Sequence, residues 1–98
     1  MNLTELRNEI DRIDDELIKL FVQRMETAAK IAAYKVEHQL PVFIPAREQE
    51  KLADVAVKAG ADMAEYTKTL YNLLFELSRA HQSTIINSAD SASCNHEV

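Results

Sequence analysis

The sequence predicts an all-α chain of three helices, and three observations carry that prediction. The 98 residues include one Gly and two Pro, too few turn formers for a β protein, which needs them about every 8–12 positions. Pro41, Pro45 and Gly60 fall at only two places and cut the chain into three long stretches. The first stretch carries an unbroken a/d stripe: Leu3, Leu6, Ile10, Ile13, Leu17 and Leu20, spaced 3, 4, 3, 4, 3.

The first helix is expected from residue 2 to about 37. Asn2 or Thr4 is placed to cap its start, with Glu5 in the first turn. Its end is expected before Pro41, whose ring disfavours helix at Leu40. A helix of ~35 residues is ~50 Å long. A compact 100-residue globule has a radius of gyration of only ~13 Å, so the helix must project from its own globule. A projecting apolar stripe needs a cover in water. A second copy of the chain is the simplest one, and the expected assembly is an intertwined helical homodimer.

The second helix is expected from Pro45 or Ala46 to Ala59. Pro45 suits the first turn, Leu52, Val55, Ala56 and Ala59 form the apolar face, and Gly60 suits the position after the end. Asp62 and Glu65 read as a capping box that opens a third helix over about 63 to 86. Its stripe is Met63, Tyr66, Leu70, Leu73, Leu74, Leu77 and Ile85. Residues 1–86 thus form one helical domain, and the polar residues 87–98 read as a disordered tail.

Composition narrows the function. Apolar residues make up 47% and charged residues 28% of the chain, an ordinary globular balance. No apolar run approaches the ~20 residues needed to span a bilayer, so no membrane partner is expected. The first residues do not read as a signal peptide, and the single Cys94 excludes a disulfide framework and a multi-cysteine zinc site. The cytoplasm is the expected location. A net charge of −5 argues against nucleic acid as a partner.

The informative residues are polar ones on the apolar seam. Past Leu20 the next a position is Arg24 and the next d is Thr27, followed by Ile31 and Tyr34. A buried Arg must find an anion. No acid stands one turn before it, at Leu20 and Phe21, or one turn after, at Thr27 and Ala28. Lys35 projects from the same face, ~16 Å further along. Together the two cations can hold a small dianion. Alternatively, Arg24 pairs with an acid from another helix and Lys35 is solvated. Arg7 lies ~25 Å before Arg24 and cannot reach the same ligand within one chain. In an antiparallel dimer it can complete the partner's site; otherwise it is a surface Arg.

Arg47 and Glu48 stand in the first turn of the second helix, and Ser78 and Gln82 form an i, i+4 pair on the third. Each pair is a weak signal alone, because such groups often bond locally. Arg79 and His81 read as solvent-facing. The three His residues lack metal-ligand spacing, so no metal is expected.

The order Leu6-Arg7, Ile13-Asp14, Gln23-Arg24, Tyr34-Lys35, Pro41-Val42, Arg47-Glu48 and Ser78 with Gln82 resembles the all-helical chorismate mutases. The resemblance runs from about Leu3 to Gln82. It implies an intertwined dimer of three-helix chains that converts chorismate to prephenate, the branch-point step toward phenylalanine and tyrosine, without a cofactor. It assigns Arg24 and Arg7 of the partner subunit to the two substrate carboxylates. Lys35 would bind a carboxylate and the ether oxygen, and Gln82 the ether oxygen from the other side. Glu48 would accept from the ring hydroxyl, Ser78 would contact a carboxylate, and Arg47 would support the hydroxyl end. One departure stands out: relatives often carry Asp where this chain has Ile44.

The implied reaction is an intramolecular Claisen rearrangement. It needs no base, nucleophile or metal, only restraint of the dianion and stabilisation of charge developing on the ether oxygen. Two rivals remain at this level. One is an isochorismate-pyruvate lyase on the same fold, which Glu48 disfavours. The other is a non-catalytic helical dimerisation or regulatory module, which predicts that an internal acid neutralises Arg24 and that no cavity exists.

Overall fold

A computed structural model describes the backbone of residues 1–96 and the side chains of residues 1–87. It contains three helices, α1 (Leu3–Glu37), α2 (Pro45–Ala59) and α3 (Ala64–His96), and no strand among the described residues. None of the helices is long and apolar enough to cross a membrane.

The ends of α1 follow from local chemistry. The Asn2 side chain accepts from the Glu5 backbone N–H at 2.9 Å, satisfying one of the orphan donors of the first turn. At the other end, Leu40 N–H reaches the Lys35 carbonyl at 2.8 Å and Gln39 N–H the Val36 carbonyl at 3.2 Å. This is a Schellman closure, and it puts Gln39 in the left-handed region at φ 56°. Glycine usually takes that position, because any Cβ there is strained.

α2 starts on Pro45 and stops at Gly60, which takes φ 86°. Both ends agree with the sequence expectation. The start of α3 does not. Met63 N–H bonds to the Gly60 carbonyl at 3.1 Å, and the Met63 carbonyl accepts from Thr67 at 2.9 Å. The cap therefore falls at Met63, and Asp62 lies inside the preceding turn rather than opening a capping box. The far end differs too: α3 continues to His96, past the expected end near residue 86. The residues read as a disordered tail contain no Gly or Pro, the two strongest helix breakers. Glu97 and Val98 lie outside the described residues.

The short turn between α2 and α3 folds them into a hairpin, while α1 runs in the same direction as α3. Arg24 meets Ser78, and one turn later Ala28 meets Gln82. Both α1 and α2 pack on α3 and not on each other, which leaves a cleft between them floored by α3. The molecule measures 64 × 29 × 16 Å with a radius of gyration of 17.9 Å, well above the ~13 Å of a compact chain this size.

Its core is correspondingly thin. Ala32, Val55 and Phe75 are the buried apolar residues among those described. Every residue from Met1 to Leu20 except Glu9 is exposed. The a/d stripe stands open to water, with Leu3 60% and Leu17 56% exposed, and Leu70 and Leu73 of α3 are in the same state. Contiguous apolar surface on this scale marks an interaction face.

The strained Gln39 offers a test of the α1 ending. Gln39→Gly should stabilise the protein by about 0.5–1 kcal/mol, because relief of the left-handed strain exceeds the entropy that Gly adds to the unfolded chain. Gln39→Val should destabilise it. The urea midpoint reads both; a lower midpoint for the Gly variant would contradict the geometry.

Candidate active site

The cleft between α1 and α2 has a volume of about 220 Å³. Six sequence-predicted residues line it: Arg24 and Lys35 of α1, Arg47 and Glu48 of α2, and Ser78 and Gln82 of α3. Arg7 does not. It is exposed in the second turn of α1, at ~25 Å from Arg24 along the axis.

Arg24 is half-buried and held from two sides. Its Nη1 donates to Ser78 Oγ at 3.0 Å. Its guanidinium carbon lies 5.6 Å from the Tyr71 ring centroid and 5.9 Å from that of Phe75, within cation–π range. Ser78 is buried, and its hydroxyl donates to Met25 Sδ at 3.8 Å while accepting from Arg24. Its immediate task is thus to orient Arg24. Lys35, in the last turn of α1, donates to the Val42 carbonyl at 3.3 Å and ties the α1–α2 loop over the cleft. Gln82 gives one amide hydrogen to the Ala28 carbonyl at 2.9 Å. Its second N–H and its carbonyl oxygen remain available.

Glu48 sits in the first turn of α2, where the helix dipole favours a negative charge. Arg79 Nη1 reaches its two oxygens at 2.5 and 2.6 Å. Arg79 is therefore a cleft residue and not the solvent-facing one that its position beside Ser78 suggests. Arg47, by contrast, is 63% exposed and pairs with Glu50 at 3.6 Å. Lys51, one turn after Arg47, also lines the cleft and reaches Asp54 at 3.6 Å. The Asp54 carboxyl is held below the usual carboxylate range, chiefly by a 2.9 Å hydrogen bond from Lys58.

Arg79, Lys51, Phe43 and Phe75 are lining residues that the sequence reading does not place in the site. A signal existed for two of them. Ser78, Gln82 and Arg79 fall within one ~100° arc of an ideal helix, and Lys51 follows Arg47 by one turn. For Phe43, in a loop, no local signal exists.

The electrostatics of the cleft are lopsided. Five cations and one carboxylate line it, in a chain whose net charge is −5. The carboxylate is taken by Arg79. Arg24 and Lys35 pair with no acid among the described residues. A helical module that neutralises Arg24 internally is thereby disfavoured. The lining residues include no His, Cys or Asp, and no base stands beside the Ser78 hydroxyl. Among the described residues no cluster of three His, Cys, Asp or Glu side chains is placed to hold a metal ion. What the arrangement can do is orient a small, multiply negative molecule and stabilise negative charge on it.

Comparison with known proteins agrees with that chemistry. Residues 6–83 match the family described as chorismate mutase type II. The chain is 46% identical over 68 residues to the T-protein of Haemophilus influenzae, covering 64% of this chain and 18% of that protein. It is 46% identical over 48 residues to the bifunctional chorismate mutase/prephenate dehydratase of Aquifex aeolicus, covering 49% and 13%. It is 30% identical over 97 residues to the protein of the same name from Buchnera aphidicola, covering 97% and 24%. The chain thus spans a quarter or less of the length of these curated relatives. No solved structure matches it significantly.

The missing counter-charge has a measurable consequence. Lys35→Met removes a half-buried cation from a crowd of like charges and keeps the apolar volume, so the urea midpoint should rise or stay unchanged. A loss beyond about 1 kcal/mol would show that the Val42 tie or a compensating acid outweighs the like-charge relief.

Proposed function

The chain belongs to the type II chorismate mutase family, and on that premise we propose that it converts chorismate to prephenate in a homodimer whose two sites each use both protomers. The observation that carries the reading is the pair of half-buried cations, Arg24 and Lys35, which face one cleft without a carboxylate of their own.

The substrate is a dianion with an enol-ether link. In the rearrangement the ether C–O bond breaks as a new C–C bond forms, and no proton changes hands. The enzyme's first task is to hold the flexible dianion in a compact, reactive conformer. Arg24, fixed by Ser78 and two aromatic faces, presents a planar fork suited to a carboxylate. The second task is to stabilise negative charge as it grows on the ether oxygen. Lys35 offers a point charge there, and the spare N–H of Gln82 a neutral donor. Both gain strength as the C–O bond lengthens, so they act on the transition state more than on the ground state. Glu48 is the acceptor for the ring hydroxyl. Ile44 supplies no side-chain acceptor at that end.

The exposed a/d stripe supports the homodimer. A second copy laid antiparallel along α1 would cover Leu3 to Leu20 and the exposed Leu70 and Leu73. It would also bring Arg7 of the partner subunit to the open side of the Arg24 cleft, as a further fork for a carboxylate. This accounts for an Arg too distant to serve its own chain's site.

Lys35→Ala and Arg24→Ala should each lower kcat about 10²–10³-fold while the dimer stays folded; turnover close to wild type in either would refute the assignment. Shared sites are tested by mixing. Arg7→Ala and Arg24→Ala homodimers should both be nearly inactive, yet random reassociation should restore about a quarter of wild-type activity, since half the dimers then carry one intact site. No restoration would place Arg7 outside the site.

A further inference from the structure

Glu48 is the one carboxylate in a cleft that must admit a dianion, and its neighbourhood on α3 raises a question of charge. Uncompensated, it would repel the substrate it is meant to orient. The pairing with Arg79 is close: one guanidinium nitrogen lies 2.5 and 2.6 Å from the two oxygens. The guanidinium is held in turn by the loop before α2, its central carbon lying 5.2 Å from the Phe43 ring centroid. Arg79 thus links three parts of the chain at the hydroxyl end of the cleft: the loop, the start of α2, and α3. Both side chains are partly shielded from water, Glu48 25% and Arg79 40% exposed, which strengthens their coupling over that of a surface pair. Each Glu48 oxygen keeps a lone pair for a further donor.

We propose that Arg79 is a positioning residue for the reaction: it fixes the Glu48 carboxylate as the hydroxyl acceptor and cancels its charge against the incoming dianion. The inference rests on the chorismate mutase reading and deepens it, because it makes the Glu48–Arg79 pair the determinant of recognition at the ring-hydroxyl end. With Ile44 offering no side-chain acceptor, the side-chain recognition at that end depends on one carboxylate, and the carboxylate depends on Arg79. Arg47, its neighbour on α2, faces Glu50 instead.

The signature is a KM effect that runs through Glu48. Arg79→Gln leaves an unpaired carboxylate in the cleft, so KM should rise about tenfold with kcat within about threefold of wild type. In a Glu48→Gln background the same substitution should change KM less than about threefold, and the double variant should have a lower KM than Arg79→Gln alone. Arg79→Lys keeps the charge and should hold KM within about threefold of wild type. Melting curves establish which variants are folded. Unchanged kinetics in Arg79→Gln would overturn the proposal, as would an equal KM increase with and without Glu48. If Arg79→Gln does not fold, Arg79→Lys decides: a tenfold rise in its KM overturns the proposal, and a wild-type KM supports it. Absence of any chorismate turnover by the unmodified protein would sink the functional reading and this proposal with it. Normal turnover without the coupling would sink this proposal alone.

Discussion

A positive charge withdrawn from water needs a counter-charge, and two of the most central ones in this molecule have none among the described residues. Arg24 and Lys35 face a cleft in which the only carboxylate among the described residues is already taken. Uncompensated charge of this kind lowers the stability of a fold. It persists where a ligand is there to supply the opposite sign, and the rest of the site is organised around that demand. Ser78 and two aromatic faces hold Arg24 in place, the Val42 carbonyl holds Lys35, and the Ala28 carbonyl holds Gln82. Each functional group spends one contact on being positioned and keeps others for a ligand. Such preorganisation lets electrostatics act without rearrangement during the reaction.

The architecture explains how so small a chain builds this cleft. α3 is the common floor, and α1 and α2 reach it from either side without touching each other. Ser78, Arg79 and Gln82 are three neighbours on that floor, and each anchors or pairs with a group from a wall: Arg24, Glu48 and the Ala28 backbone. The same economy leaves the fold thin. With three buried apolar residues among those described and an uncovered stripe along α1, one chain has little core to sustain itself. In the proposed dimer, association and catalysis would answer one constraint, because the uncovered apolar surface belongs to the same helix as Arg24 and Lys35.

Much of this was legible in the sequence because it is local. Asn2, Pro45 and Gly60 announce helix ends through the chemistry of their own side chains and backbones. The a/d stripe and its interruption at Arg24 need only helical periodicity. The failures have physical reasons. Asp62 is a good capping residue, but a hydrogen bond from Met63 to Gly60 uses its position for a turn. The apolar stripe of α3 ends at Ile85, and the residues beyond it hold no Gly or Pro to mark where the helix stops. Gln39 in the left-handed region defies its own preference because the Schellman bonds dictate the conformation. Arg79 reads as a surface residue along its own helix because its partner, Glu48, lies 31 positions away in sequence. Periodicity along one helix does not reveal which face a second helix will cover. The roles of Arg24, Lys35, Glu48 and Gln82 came from the family resemblance; what the residues themselves signalled was a cation pair without acids.

The most direct measurement follows chorismate and isochorismate separately with the purified chain and identifies the products. Loss of chorismate with prephenate as the sole product, and no pyruvate released from isochorismate, is the result expected of a cleft that restrains a dianion and stabilises its ether oxygen. Pyruvate from isochorismate, or no turnover of either compound, would contradict it.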